Sequence, residues 1–164
     1  KQKLALSCAL IHRPSVLFLD EPTTGVDAVS RKEFWDMLQN LKRQGITILV
    51  STPYMDEASL CDRVALMQSG KILKINTPTG IIEEFGKPIF GVRSNRMLPL
   101  LKELNESSIV KDAYPFGEYH HVIMKDGYGE AQLQLLLQQR SSDDPACIKV
   151  QPDIEDCFMA LMKN

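Results

Sequence analysis

The chain has 164 residues, 44% of them hydrophobic and 24% charged, a globular composition with length for one ordinary domain or two small ones, which excludes a disordered tail. Its net charge of −2, with no dense Lys/Arg cluster, argues against a nucleic-acid partner, because that role leaves a basic footprint. The longest apolar runs, "VLFL" and "ITILV", fall far short of the roughly 20 residues of a membrane helix, and the first residues lack the charged and apolar regions of a signal peptide.

The first half alternates helix and strand. "KQKLALSCALIH" carries Leu4, Cys8 and Ile11 on one helical face and stops before Pro14, so that face is expected to be buried. "SVLFLD" is a continuous apolar run, the pattern of a strand covered on both sides. From Ala28 to Arg43 the apolar residues Phe34, Leu38 and Leu41 share a helical face, with Asp27 as N-cap and Gly45 as the stop. "ITILVST" predicts a second buried strand, "YMDEASLCD" a helix, and "RVALMQSGKILKINT" a hairpin turning at Ser69-Gly70. "TPTGIIEEFG" predicts a short helix ending at Gly86.

From Pro88 the order changes to strand, helix, strand, strand, helix, strand, which is the βαββαβ order of a small ferredoxin-like domain, and a last helix, "DIEDCFMALM", follows. The expected class is therefore α/β, with a boundary at residues 86–88 between a first part, 1–86, and an α+β appendage, 87–164. The four cysteines, Cys8, Cys61, Cys147 and Cys157, have no CxxC spacing and are expected to be reduced core residues.

Chemistry concentrates in "SVLFLDEPTTGVD", Ser15 to Asp27. A buried strand that ends on two adjacent acids, Asp20 and Glu21, places them at the carboxyl end of a sheet, where α/β folds put their ligands. One acid there suits a Mg²⁺ ion held through water, and the other a water attacking a phosphoryl group. A charged turn after a strand is the plainer alternative for an isolated Asp-Glu pair.

The surrounding residues resemble the ATP-binding subunits of ABC transporters. "VLFLDEPTTGVD" is similar to the family's Walker B segment, catalytic glutamate and D-loop, with Asp20, Glu21 and Asp27 at the matching positions. "KQKLALSCALIHRP" resembles the helix after the signature motif, with Gln2 and Lys3 just beyond it, and "GITILVSTPYMDEASLCDRVALMQSGKIL" resembles the switch strand, its helix and the final hairpin. The likeness runs to about residue 85 and is closest to bacterial exporters. A weaker likeness, to an appendage ending in "EDxF", rests on Asp156 and Phe158 around Cys157.

The resemblance implies Mg and ATP as cofactors, Glu21 as catalytic base, Asp20 as the metal residue, and Gln2, Lys3 and Asp27 toward a nucleotide shared with a second ATPase domain. It also implies a membrane permease subunit or fused membrane domain as partner, at the cytoplasmic inner face of the membrane. Two departures bear on activity. No G-x-x-x-x-G-K-[ST] occurs in these residues, so the phosphate cradle is missing, and the expectation is the C-terminal part of a longer subunit, inactive by itself. Pro53 stands where the family has a switch histidine; it starts a helix comfortably at the first helical position but offers no donor to a phosphate. A regulatory or assembly module without catalysis is the alternative reading.

Other residues invite plainer readings. His120 and His121 are adjacent in a strand and face opposite sides, so they cannot easily share one ion. His12 ends a helix, where capping suffices. Trp35 suits either the core or an anchor to a membrane segment.

Overall fold

The computed structural model describes residues 2–139 and 144–163, without the side chains of Gln2 and Lys3. Packing divides the chain between Cys61 and Asp62. The first unit contains α1 (Gln2–Leu10), β1 (Val16–Asp20), α2 (Ala28–Arg43), β2 (Thr47–Ser51) and the short α3 (Met55–Ala58). β1 and β2 are parallel and pair from Val16–Thr47 to Asp20–Ser51, with α2 as the crossover. Asp27 caps α2 as expected, its Oδ1 accepting the Ser30 N–H at 3.0 Å. Gly45, at φ 92°, turns the chain back into β2. Phe34, Trp35, Leu38 and Leu41 bury one stripe of α2 against Leu6 and Leu17, so Trp35 belongs to the core and is no exposed anchor.

Three expectations need correction here. In α1 the buried residue is Leu6, while Leu4, Cys8 and Ile11 are exposed, because the helix turns Leu6 and half-buried Leu10 toward the cluster around Leu17. β1 is covered on one side only: Leu17 is buried but Phe18 is 72% exposed, as is Leu49 of β2 at 61%. The predicted helix after β2 is a four-residue turn. It closes early because Leu60 and Cys61 donate to carbonyls three residues back.

The second unit begins with the antiparallel hairpin β3 (Val64–Gln68) and β4 (Lys71–Asn76). Ser69 and Gly70, both at positive φ, make the expected turn. In α4 (Pro78–Phe85) the Thr77 hydroxyl accepts the Gly80 N–H at 3.0 Å, Pro78 opens the first turn, and Gly86 ends it left-handed at φ 61°. β5 (Ile89–Arg93), α5 (Met97–Glu106), β6 (Val110–Phe116), β7 (Tyr119–Met124), α6 (Glu130–Gln138) and β8 (Ala146–Val150) follow. Their four strands lie in the order β6-β7-β5-β8, every neighbour antiparallel, which is the ferredoxin-like arrangement expected from the βαββαβ order.

One face of this sheet carries the main core, in which Phe90, Val92 and Val122 meet Leu100, Leu104 and Leu133. On the other face Ile89, Tyr114 and Ile123 pack with Phe85 and with Met159 and Ala160 of α7 (Ile154–Met162). α4 joins this layer, where the buried Cys157 thiol donates to the Ile81 carbonyl at 3.8 Å. Hairpin and α4 therefore group with the later residues, and the packing division comes earlier in the chain than the start of the βαββαβ order near residue 88. No helix among the described residues is long and apolar enough to cross a membrane.

Candidate functional site

The parallel pair ends level, Asp20 opposite Ser51, and the candidate site forms at that end. The Ser51 hydroxyl donates to Asp20 Oδ1. The Glu21 amide donates to both the carbonyl and the hydroxyl of Ser51, at 3.0 and 3.2 Å, which ties the first residue after β1 to the last of β2. Glu21 itself sits at φ 42°, a left-handed conformation uncommon for a residue with a side chain. Such strain, of order 1–3 kcal/mol, persists only where its surroundings impose it, and it gathers at functional sites.

The carboxylates are held separately, Asp20 by Ser51 and Glu21 by the Thr24 hydroxyl, which donates to Oε2 at 3.1 Å. Both acids are exposed. Beneath them Thr23 is 1% exposed and its hydroxyl has no hydrogen-bond partner among the described residues. Asp27 lies further along the same turn, and its bonds to Ser30 hold its carboxyl below the usual range.

β2 leads into a second polar group. The Thr52 hydroxyl accepts the Tyr54 amide at 3.1 Å and donates to Glu57 Oε2 at 2.6 Å. Glu57 is 1% exposed, and its other oxygen pairs with Arg31 Nε at 3.4 Å. Arg31 also bonds Asp56 and lies 4.5 Å above the Tyr54 ring. Pro53 is not at the first helical position as expected: Tyr54 is the N-cap of α3, so the proline sits one residue before it. Gln2 and Lys3 belong to α1, their side chains outside the described residues.

Asp20, Glu21 and Asp27 thus share one strand-to-helix connection. Ser51, Thr24, Arg31 and Glu57 were not foreseen. A hydroxyl ending the second apolar run, where the first ends on an acid, was the available signal for Ser51; the Arg31–Glu57 pair had none, because it joins different elements.

The remaining candidates resolve as structure. His120 and His121 face opposite sides: His120 Nε2 donates to the Met97 carbonyl at 2.8 Å, and His121 Nδ1 to Asp156 Oδ1 at 2.6 Å. Asp156 of the "EDxF" ending is fully buried. It also accepts the Tyr114 hydroxyl at 2.8 Å and, as the capping-box acid of α7, the Asp153 amide at 2.9 Å. None of the four cysteines is in a disulfide; Cys157 is buried, Cys61 and Cys147 are half-buried, and Cys8 is exposed against expectation.

No family model matches the chain. Over 78 residues, 48% of the chain, it is 50% identical to a probable multidrug ABC transporter ATP-binding protein, YbhF, of Escherichia coli, and covers 14% of that protein. Over 98% of its length it is 32% identical to the Nod factor export ATP-binding protein I of Sinorhizobium fredii, covering 46% of it. A solved structure of CbiO1 from Clostridium perfringens, part of an ABC transporter complex, aligns with 65% of the chain and 38% of its own, at a TM-score of 0.46 and 27% identity. The chain spans less than half the length of each of these proteins.

Proposed function

The chain belongs to the ATP-binding subunits of ABC transporters, and on that premise we propose that it is part of a subunit coupling ATP binding and hydrolysis to export through a membrane permease. The observation that carries this is the end of the parallel pair, where Glu21 is held at positive φ with its amide on Ser51 and its carboxylate on Thr24. In this reading residues 1–86 are the C-terminal portion of the ATPase domain and 87–164 an accessory domain. The bare face of β1 and β2 agrees with a sheet meant to be covered by further parts of such a domain.

The donor set fits Mg²⁺. Two carboxylates and a serine hydroxyl are hard oxygen donors, and no three His, Cys, Asp or Glu among the described residues converge on a metal, so water and phosphate would complete the shell. Bound Mg-ATP supplies the phosphoryl group under attack and the charge neutralisation around it. Asp20, aligned by Ser51, would hold the ion, through water. Glu21 orients a water and takes its proton. Asp27 would couple two sites across a dimer of ATPase domains, and Gln2 and Lys3 would come near the partner's nucleotide. The subunit works on the cytoplasmic face of the membrane against a permease subunit or fused membrane domain.

Pro53 offers no side-chain donor to the γ-phosphate, and losing one such stabiliser costs on the order of a hundredfold or more in rate. The test uses the full-length parent dimer in its transporter. Glu21→Gln should keep ATP binding and abolish turnover, since the amide takes no proton. Pro53→His should raise hydrolysis several-fold by restoring a donor. If neither substitution moves a measurable rate, catalysis resides in a partner site and this part is regulatory.

A further inference from the structure

A cleft of about 380 Å³ opens between α4, α7 and the β6–β7 strands of the second unit. Its floor is apolar, built from Ile81, Phe85, Ile123, Ala160 and Leu161. Lys74, Lys87, Lys111 and Lys163 rim it, against two acids, Glu84 and Asp112. Both acids are already engaged, Glu84 by Lys74 and Asp112 by Lys163. Lys87 pairs at 3.0 Å with Asp126, whose side chain is 95% exposed, a contact that water and salt weaken. Lys111 is exposed, makes no close ion pair among the described residues and shares the attraction of Asp126 with Lys87. The cleft therefore combines an oily floor with surplus positive charge on one lip, and its size lies within the range of small-molecule sites.

We propose that this cleft binds a single-chain amphiphile with an anionic head, its alkyl chain on the floor between α4 and α7 and its head at Lys111 and Lys87. A neutral chain leaves Lys111 without an ion pair and Lys87 with only its exposed contact to Asp126, and a cationic one meets them with repulsion. An occupant touches both α4 and α7, so it joins the hairpin side of the unit to its last helix and stabilises the unit by mass action. The inference stands apart from the transport reading, because it concerns residues that take no part in the candidate site.

The test is calorimetric titration of the full 164-residue chain with decanoate, decanol and decyltrimethylammonium, all below micelle formation. Decanoate should saturate a single site, about fivefold or more tighter than either other probe. Hexanoate should bind more weakly by roughly fourfold per methylene removed. Lys111→Glu should weaken decanoate by about fivefold and leave decanol unchanged, and Ala160→Phe should fill the floor and remove binding. Should Ala160→Phe fail to fold by circular dichroism, the exposed Lys111→Glu still decides. Equal affinity for decanol, tighter binding of the cation, indifference to Lys111→Glu, or no saturation by decanoate overturns the proposal. Sedimentation with phosphatidylglycerol vesicles separates the sources: pelleting that excess decanoate reverses assigns the chain to a membrane lipid, and no pelleting assigns it to a free pool.

Discussion

In the first unit Phe18 and Leu49 stand 72% and 61% exposed on a two-stranded sheet, whereas in the second every β7 residue from His120 to Met124 is buried. The strand-end acids of the first unit differ in the same way from Asp156 of the second, although Glu57 of the first unit is buried too. Asp20 and Glu21 are exposed at the end of an incompletely covered sheet, while Asp156 is fully buried and accepts three donors. A carboxylate that accepts three donors inside a core fixes a fold, because moving it exposes several unmet donors at once. One held at the surface by a single hydroxyl is available for chemistry. The two units thus hold these acids differently, and on the proposed reading the chemistry falls to the first.

The largest expected effect comes from separating the units. A chain of Asp62–Asn164 should melt cooperatively by circular dichroism, since its sheet is packed on both faces. Lys1–Cys61 alone should melt at a lower temperature and with a shallower transition, because two strands with one covered face bury less. Starting the second unit at Pro88 instead should weaken it, since Phe85 and Ile81 then leave the layer around α7. A first unit as stable as the second would break the comparison outright.

Next in size is Asp156→Ala in the whole chain. It leaves the Tyr114 hydroxyl, the His121 ring N–H and the Asp153 amide without their acceptor in a dry core, a loss of about 3–5 kcal/mol in urea titration. A loss below about 1 kcal/mol would mean that water reaches the group.

Much of this was legible beforehand where the rule is local. The cap at Asp27, the hairpin at Ser69-Gly70 and the βαββαβ order all follow from neighbours a few residues apart. So did the placing of Asp20 and Glu21 at a strand end. What escaped depends on distant partners: Asp156 meets His121 from 35 residues away and Tyr114 from 42, and Ser51 faces Asp20 only once two parallel strands align. The apolar run of β1 signals cover on both faces, yet the pattern does not say which elements provide it.

A smaller effect should appear at high pH. Burial pushes the Cys157 thiol up to about 12 and Cys147 up to about 11 from 9.0. Burial, with help from Asp156, also raises the Tyr114 hydroxyl. The fold favours the protonated forms, so their contribution is complete below about pH 9 and is lost as pH rises toward 11 and 12, where the unfolded chain gives up protons that the folded one keeps. Stability should fall by on the order of 3 kcal/mol between pH 8 and 11, measured as urea midpoints, and Cys157→Val should flatten the slope. A flat profile in the unsubstituted chain would mean that these groups are hydrated.

The smallest effect expected is the sharpest probe of the bare sheet face. Phe18→Thr replaces a large apolar side chain in the middle of β1 by a β-branched one that suits a strand. If the face is open in solution, the ring loses little burial on removal, and stability should change by no more than about 0.5 kcal/mol. Leu17→Ala, one residue away on the covered face, should cost about 2–5 kcal/mol by opening a cavity beside Leu6 and Phe34. Urea titration of the two variants gives the contrast, and light scattering should show less self-association in Phe18→Thr. A loss above about 1.5 kcal/mol for Phe18→Thr would mean that the ring is covered in solution, and the difference between the two sheets would then be smaller than the exposures of Phe18 and Leu49 indicate.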